Sequence, residues 1–140
     1  MSRQLVLACL VLLMSGCWGG NELGLVPVSG TITFSGGPPP AEGRITFSPT
    51  EVAPGKPRRP ARGPFGTDGK FEAESFKPGD GLVPGTYKVG ISCVKGPYSD
   101  MASKEEIEAL SYVPADFEPP NLVIEEGSGS VTYDLDVPKK

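Results

Sequence analysis

The amino-acid sequence predicts an all-β protein, a seven-stranded antiparallel sandwich carrying one short helix in an insert, and three observations lead there. Apolar side chains alternate with polar ones along several short stretches, the period-2 pattern of strands with one buried and one wet face. Gly and Pro together make 35 of the 140 residues and cluster between those stretches, where they act as turns. Only one helix-start signal stands out, Ser103-Lys104-Glu105-Glu106, a capping box. A quarter of Gly and Pro approaches the level at which disorder competes, and the ordered alternation of the apolar positions decides for a packed core.

The chain begins with Arg3, a nine-residue apolar run over residues 5–13, and Met14-Ser15-Gly16-Cys17, small residues placed just before a cysteine. Nine residues are about half of the roughly 20 needed to span a bilayer core, so the run fits a secretory h-region and not a permanent membrane span. The segment resembles the leader of a bacterial lipoprotein precursor. The resemblance implies a signal peptide over residues 1–16, removal by signal peptidase II, and a diacyl group on the sulfur of Cys17. An ordinary cleaved signal with an incidental Cys17 is the alternative. Two or more acyl chains hold firmly where one binds only marginally. Residues 17–25 then form the acylated cysteine and a Gly-containing tether, and residues 26–140 the sandwich domain.

Val26, Val28, Gly30, Ile32 and Phe34 alternate with polar residues to give the first strand, which Gly36-Gly37-Pro38-Pro39-Pro40 breaks. Ile45 and Phe47 mark the second strand, expected as its hairpin partner across a longer loop. Residues 49–64 carry prolines at 49, 54, 57, 60 and 64, with Lys56, Arg58, Arg59 and Arg62 between them. Proline removes ladder donors, so this stretch reads as a solvated connector or a ragged edge, with a polyproline-type or polyanion-binding loop as the functional alternative. Asp68-Gly69 is a tight-turn signal with strands expected on both sides, Phe71 and Ala73 facing inward. After a turn-rich loop, residues 86–94 form the clearest strand, with Tyr87, Val89, Ile91 and Cys93 on its apolar face. The capping box predicts a helix over about residues 103–111 with Ile107 and Leu110 as its apolar contacts. Leu122 and Ile124, then Val131, Tyr133, Leu135 and Val137, predict a terminal hairpin around residues 126–129.

Charge and cysteine usage exclude whole classes. The formal charge of −4 becomes −5 once Arg3 is cut away, which argues against nucleic acid, whose phosphates require clustered Lys and Arg. Cys9 leaves with the signal and Cys17 carries the lipid, so Cys93 stands alone as a small buried hydrophobe and no disulfide forms. The chain has no histidine. Consequently no nucleophile has an activating base, no Cys/His set holds zinc, and no metal or other cofactor is expected. Asp68 and Asp80 lack the companions of a calcium loop. Glu72, Glu74, Glu125, Glu126, Asp134 and Asp136 are read as the wet faces of strands, with a glycosidase-like carboxylate pair as the alternative.

The residues also resemble a family. Val26-Pro27-Val28-Ser29-Gly30-Thr31-Ile32-Thr33-Phe34, Gly43-Arg44-Ile45-Thr46-Phe47, Thr67-Asp68-Gly69-Lys70-Phe71, Lys77-Pro78-Gly79-Asp80-Gly81, Pro84-Gly85-Thr86-Tyr87-Lys88-Val89 and Val113-Pro114 occur in the order found in small planctomycete-type lipoproteins with a carboxypeptidase regulatory-like, or transthyretin-like, domain. The resemblance implies a prealbumin-like or immunoglobulin-like sandwich without catalytic activity, since the zinc peptidase part is missing. Transthyretin-like hydroxyisourate hydrolases depend on histidines and a C-terminal Tyr-Arg-Gly-Ser motif, neither of which is present. The expectation is therefore a lipid-anchored, non-catalytic binding or structural module on the periplasmic face or outer membrane of the envelope. Its partner would be an envelope protein or a cell-wall glycan. Tyr98, Tyr112 and Phe117, around the helical insert, are the candidate contact residues.

Overall fold

A computed structural model of the chain describes residues 22–140; Cys17 and the rest of the N-terminal segment lie outside the described residues. Eight strands and one helix follow in order: β1 (Val28–Phe34), β2 (Gly43–Val52), β3 (Ala61–Phe65), β4 (Lys70–Glu72), β5 (Gly85–Cys93), α1 (Lys104–Leu110), β6 (Leu122–Ile124), β7 (Val131–Thr132) and β8 (Leu135–Val137). They make two four-stranded sheets. One runs β3-β2-β5-β6, and the other has β1 between β4 on one side and β7 with β8 on the other.

The alternation read from the sequence explains which residues fill the space between the sheets. Val28, Ile32 and Phe34 of β1, Ile45 and Phe47 of β2, and Tyr87, Val89 and Cys93 of β5 are all buried, while their polar neighbours face out. Phe47 is a bridge between the layers: its ring centroid lies 6.2 Å from Phe71 and 6.2 Å from Tyr133, the latter edge-on at 82°. Such tilted aromatic pairs add to the stabilisation from burial alone. Tyr87 is fully buried and its hydroxyl donates to the Val83 carbonyl four residues upstream, a tyrosine-corner geometry that closes the turn into β5.

Pairing departs from the expectation in two places. β1 and β2 are not a hairpin but belong to different sheets, whereas the Asp68-Gly69 turn has strands on both sides as expected, β3 in one sheet and β4 in the other. The expected terminal hairpin is absent because β6 pairs with β5 while β7 and β8 pair with β1. Those last pairings are parallel, which corrects the purely antiparallel sandwich. The cause is routing. β6 descends beside β5 to the end of the sandwich where β1 begins, the chain crosses there to the other sheet, and β7 therefore starts level with Val28 and runs the same way. The connection from β6 to β7 can be short because those two strands sit in different sheets, while the parallel partner of β7, β1, lies far back in the chain.

β7 and β8 share one register against β1, Val131 opposite Val28 and Leu135 opposite Ile32. At the break between them the Tyr133 backbone folds inward over Gly30, where an added Cβ would sit 1.8 Å from the Tyr133 carbonyl oxygen. Gly30 is required there for close approach.

The proline-rich stretch is also more structured than a connector. β2 extends through Pro49 by means of a register shift between Pro49 and Glu51, and residues 61–65 form an edge strand, β3, where Pro64 costs no inner ladder bond. The outer edge of β3 meets the segment following β4 through one bridge, Arg62 with Glu74, so the two sheets touch at that corner. The helix spans 104–110 with both capping-box bonds in place, Glu106 N–H to Ser103 Oγ at 3.2 Å and Ser103 N–H to Glu106 Oε2 at 2.7 Å. None of its residues is buried, and the Lys140 ammonium donates to the Glu108 and Ser111 carbonyls at its C-terminal end.

Candidate functional site

Of the three aromatics singled out in the sequence, Tyr112 occupies the best-formed hollow. The Tyr112 N–H donates to the Cys93 carbonyl at 2.9 Å, and Val94 bridges Ser111, which fastens this residue to the end of β5. Ser111 Oγ accepts from the Val113 N–H at 3.0 Å and so shapes the backbone on the other side. Facing Tyr112 are Phe34 at the end of β1, Pro38 and Pro40 of the following turn, and Lys139 and Lys140; together they enclose about 530 Å³. The Lys95 ammonium stands 6.0 Å from the Tyr112 ring centroid, at the outer limit of a cation–π contact.

The opposite wall is held by a carboxylate. Asp136 accepts from Thr33 Oγ1 at 2.7 Å and from the Gly36 N–H at 2.9 Å, which locks the turn in which Ser35 adopts a positive φ of 48°. These bonds, the Gly36 N–H foremost and the Thr33 hydroxyl after it, hold the Asp136 carboxyl below its ordinary range. Ser35 Oγ in turn accepts from the Lys139 N–H at 3.1 Å. The hollow thus has a floor of aromatic and proline rings and a rim that includes two lysines, with no acidic side chain or thiol among its lining residues. That chemistry suits adhesion to a flat or apolar group with an anionic substituent.

Tyr98 and Phe117 are not brought to this place. Tyr98 is 46% exposed and borders a shallow hollow beside α1 with Ala102, Glu106 and Leu110. Phe117 packs partly against the core and lines a separate hollow over β5 with Gly90 and Ile91. The three rings therefore line three different hollows, because the insert leaves the end of β5, returns to it at Ser111 and Tyr112, and then runs on beside residues 88–91. The partners of Tyr112 carry no signal in the sequence for a plain reason: Lys139 and Lys140 are about 100 residues from Phe34, and only the pairing of β8 with β1 brings them together.

The carboxylates divide as well. Glu72, Glu74 and Asp134 border one open hollow of about 630 Å³ on the outer face of the β1 sheet, while Glu125, Glu126 and Asp136 do not line it. Two of the three are engaged: Glu74 accepts from Arg62 Nε at 2.7 Å, and Asp134 accepts from the Thr31 N–H at 2.9 Å. Glu72 lies on β4 and Asp134 in the break between β7 and β8, on opposite sides of β1, where flanking backbones are about 10 Å apart at the usual strand spacing. Among the described residues no group of three or more His, Cys, Asp or Glu side chains is arranged to hold a metal ion. Cys93 is buried, its sulfur within 3.5 Å of the Ala41 carbonyl oxygen; desolvation pushes the thiol up and outweighs that contact.

Comparison with protein-family models, with curated proteins and with solved structures finds no match to this chain.

Proposed function

We propose that this chain is a bacterial lipoprotein, held at an extracytoplasmic membrane face by acyl groups on Cys17, whose sandwich serves as a non-catalytic binding or structural module of the envelope. In this reading the fold is of the seven-stranded prealbumin-like or immunoglobulin-like kind, with β7 and β8 counted as one interrupted strand. Among the described residues no helix is long and apolar enough to cross a membrane.

One observation supports the reading most. The chain comes into the sandwich at the Val28 end of β1, where Val26 bridges Leu82, and the Tyr112 hollow lies at the Phe34 end of the same strand. A seven-residue strand is about 20 Å long, so a tether at one end leaves the hollow turned away from the anchoring surface. The partner would then be an envelope protein or a cell-wall glycan. Two linked measurements test this: palmitate labelling of the wild type beside Cys17→Ala, and cross-linking of the tagged chain in a bacterial envelope beside Tyr112→Ala. The expected result is label on the wild type alone and a discrete adduct that Tyr112→Ala diminishes. Equal labelling of both proteins removes the anchor, and adducts indifferent to Tyr112→Ala remove the site.

A further inference from the structure

A second surface, on another side wall of the sandwich, has the makings of an anion site. On the outer face of β2 and β3, Arg44, Thr46, Ser48, Arg59, Arg62 and Phe76 line a trough of about 730 Å³, with Glu74 as its one acidic side chain. Three guanidinium groups converge there in a protein whose formal charge is −4.

Two of the three are held in a particular way. Arg59 donates through Nε to the Ser75 carbonyl at 2.8 Å, and its guanidinium lies 4.8 Å from the centroid of the Phe76 ring. Arg62 donates through Nε to Glu74 at 2.7 Å. In both, the anchoring bond uses Nε, and the terminal nitrogens form no further hydrogen bond or ion pair among the described residues. The Arg62 side chain is 59% exposed while that of Glu74 is only 20% exposed, so the cation is presented and its counter-charge is recessed. The hosts are consecutive, Glu74, Ser75 and Phe76, and that segment is itself tied down by Asp80, which accepts from the N–H groups of Ser75, Phe76 and Lys77. Arg44 makes no ion pair among the described residues and sits diagonally from Arg62 across β2 and β3, about 7–8 Å away by strand geometry. Guanidinium groups fixed before a ligand arrives lose less side-chain freedom on binding it.

We propose that this trough binds an acidic polysaccharide, its carboxylate or sulfate groups meeting Arg44, Arg59 and Arg62 and a sugar face resting on Phe76. The structure argues against other anions. An acidic peptide adding itself to the β3 edge finds Pro60 and Pro64 without N–H groups and Arg62 already bridged to Glu74. A nucleic acid meets a net negative protein and, in the trough, a single exposed ring, Phe76, not a stacking series. A membrane plane would gather its contacts at the tethered end, whereas only Arg59, held by Ser75, lies near that end; Arg62 stands opposite Thr46, and Arg44 is near the far end of β2, where Gly43 pairs with Cys93. Thr46 and Ser48 add hydroxyls suited to a sugar. The inference goes beyond the function proposed above, concerns a different surface, and stands whether or not Cys17 is acylated.

The test uses the full-length chain in dodecyl maltoside, titrated with polygalacturonate, dextran sulfate, unmodified dextran, and micelles of the same detergent doped with phosphatidylglycerol. Saturable binding of polygalacturonate or dextran sulfate, and not of dextran, is expected. Arg44→Gln with Arg59→Gln should weaken it at least about tenfold and flatten its salt dependence, since each lost cation–anion contact releases fewer counterions. Arg59→Lys, which keeps the charge but loses the planar fork, should fall between, and Phe76→Ala should weaken binding without changing the salt slope. Lys104→Gln on α1 should leave affinity unchanged. Equal binding of dextran, preference for the phosphatidylglycerol micelles, binding indifferent to the double substitution in a protein of unchanged melting temperature, or no saturable binding by either acidic polymer would each overturn the proposal.

Discussion

Asp80 should be worth more to this domain than an exposed acidic loop residue usually is. Its carboxylate accepts three backbone N–H groups, from Ser75 at 2.8 Å and from Phe76 and Lys77 at 3.0 Å each, and so closes the loop that positions Phe76 under Arg59. Desolvation alone would raise its pKa, yet the N–H groups of Ser75, Lys77 and Phe76 together prevail and leave it below 3.8. Hydrogen bonds to a charged group contribute about 1.5–3 kcal/mol each where shielded. Here the three share one half-exposed acceptor and water screens it, so the sum is far from additive. Asp80→Ala is therefore expected to cost about 2–3 kcal/mol, a fall in Tm of roughly 8–15 °C for a domain of this size. Asp80→Asn should cost somewhat less, since one acceptor oxygen survives. Because the folded pKa is depressed, the charge-dependent part is fully present above pH 3.8 and disappears as pH falls through the lower folded value. The wild type should thus lose its advantage over Asp80→Asn in strong acid. Thermal melts followed by circular dichroism at neutral and acid pH measure both. A penalty below about 0.5 kcal/mol at neutral pH would show that the loop is held by something else.

Tyr87→Phe should destabilise by about 1–3 kcal/mol in denaturant melts, because it leaves the Val83 carbonyl short of its buried partner. Burial pushes the Tyr87 hydroxyl up to about 12, so its contribution is complete below pH 10 and is lost as pH rises toward 12; alkaline unfolding should be less steep in Tyr87→Phe. Cys93, buried and with its thiol pushed up, should resist a disulfide reagent in the native protein and react readily in denaturant, as read in a Cys9→Ser, Cys17→Ala background; fast native labelling would contradict its packing.

Much of the local structure was legible before any coordinates. Alternation marked the inward residues of β1, β2 and β5, and the spacing of Ser103 and Glu106 placed the helix start, since both signals act within a few residues. The edge strand β3 was less clear because its prolines argue against pairing, and only its position outside β2 makes them tolerable. Arg59 and Arg62 stood out in the sequence as basic residues of a proline-rich stretch, but Glu74 read only as one wet-face carboxylate among six and Ser75 carried no signal. Tyr112 was visible as an aromatic beside the insert; its neighbours Phe34 and Lys139 were not.

What the sequence determined by itself is the set of elements and the face each turns to the core, because an apolar side chain every second residue has one way to be buried in a strand. It also determined the leader-like N-terminus and the absence of histidine chemistry. Only the tertiary structure decided which strands are neighbours. A period-2 pattern is satisfied by any partner that covers the same face, and the choice among partners falls to the loops, to Gly30 admitting the Tyr133 backbone, and to the crossover that sets β7 parallel to β1. Both surfaces proposed here, around Tyr112 and around Arg59, are products of that choice: each joins residues far apart in the chain whose proximity no short stretch encodes.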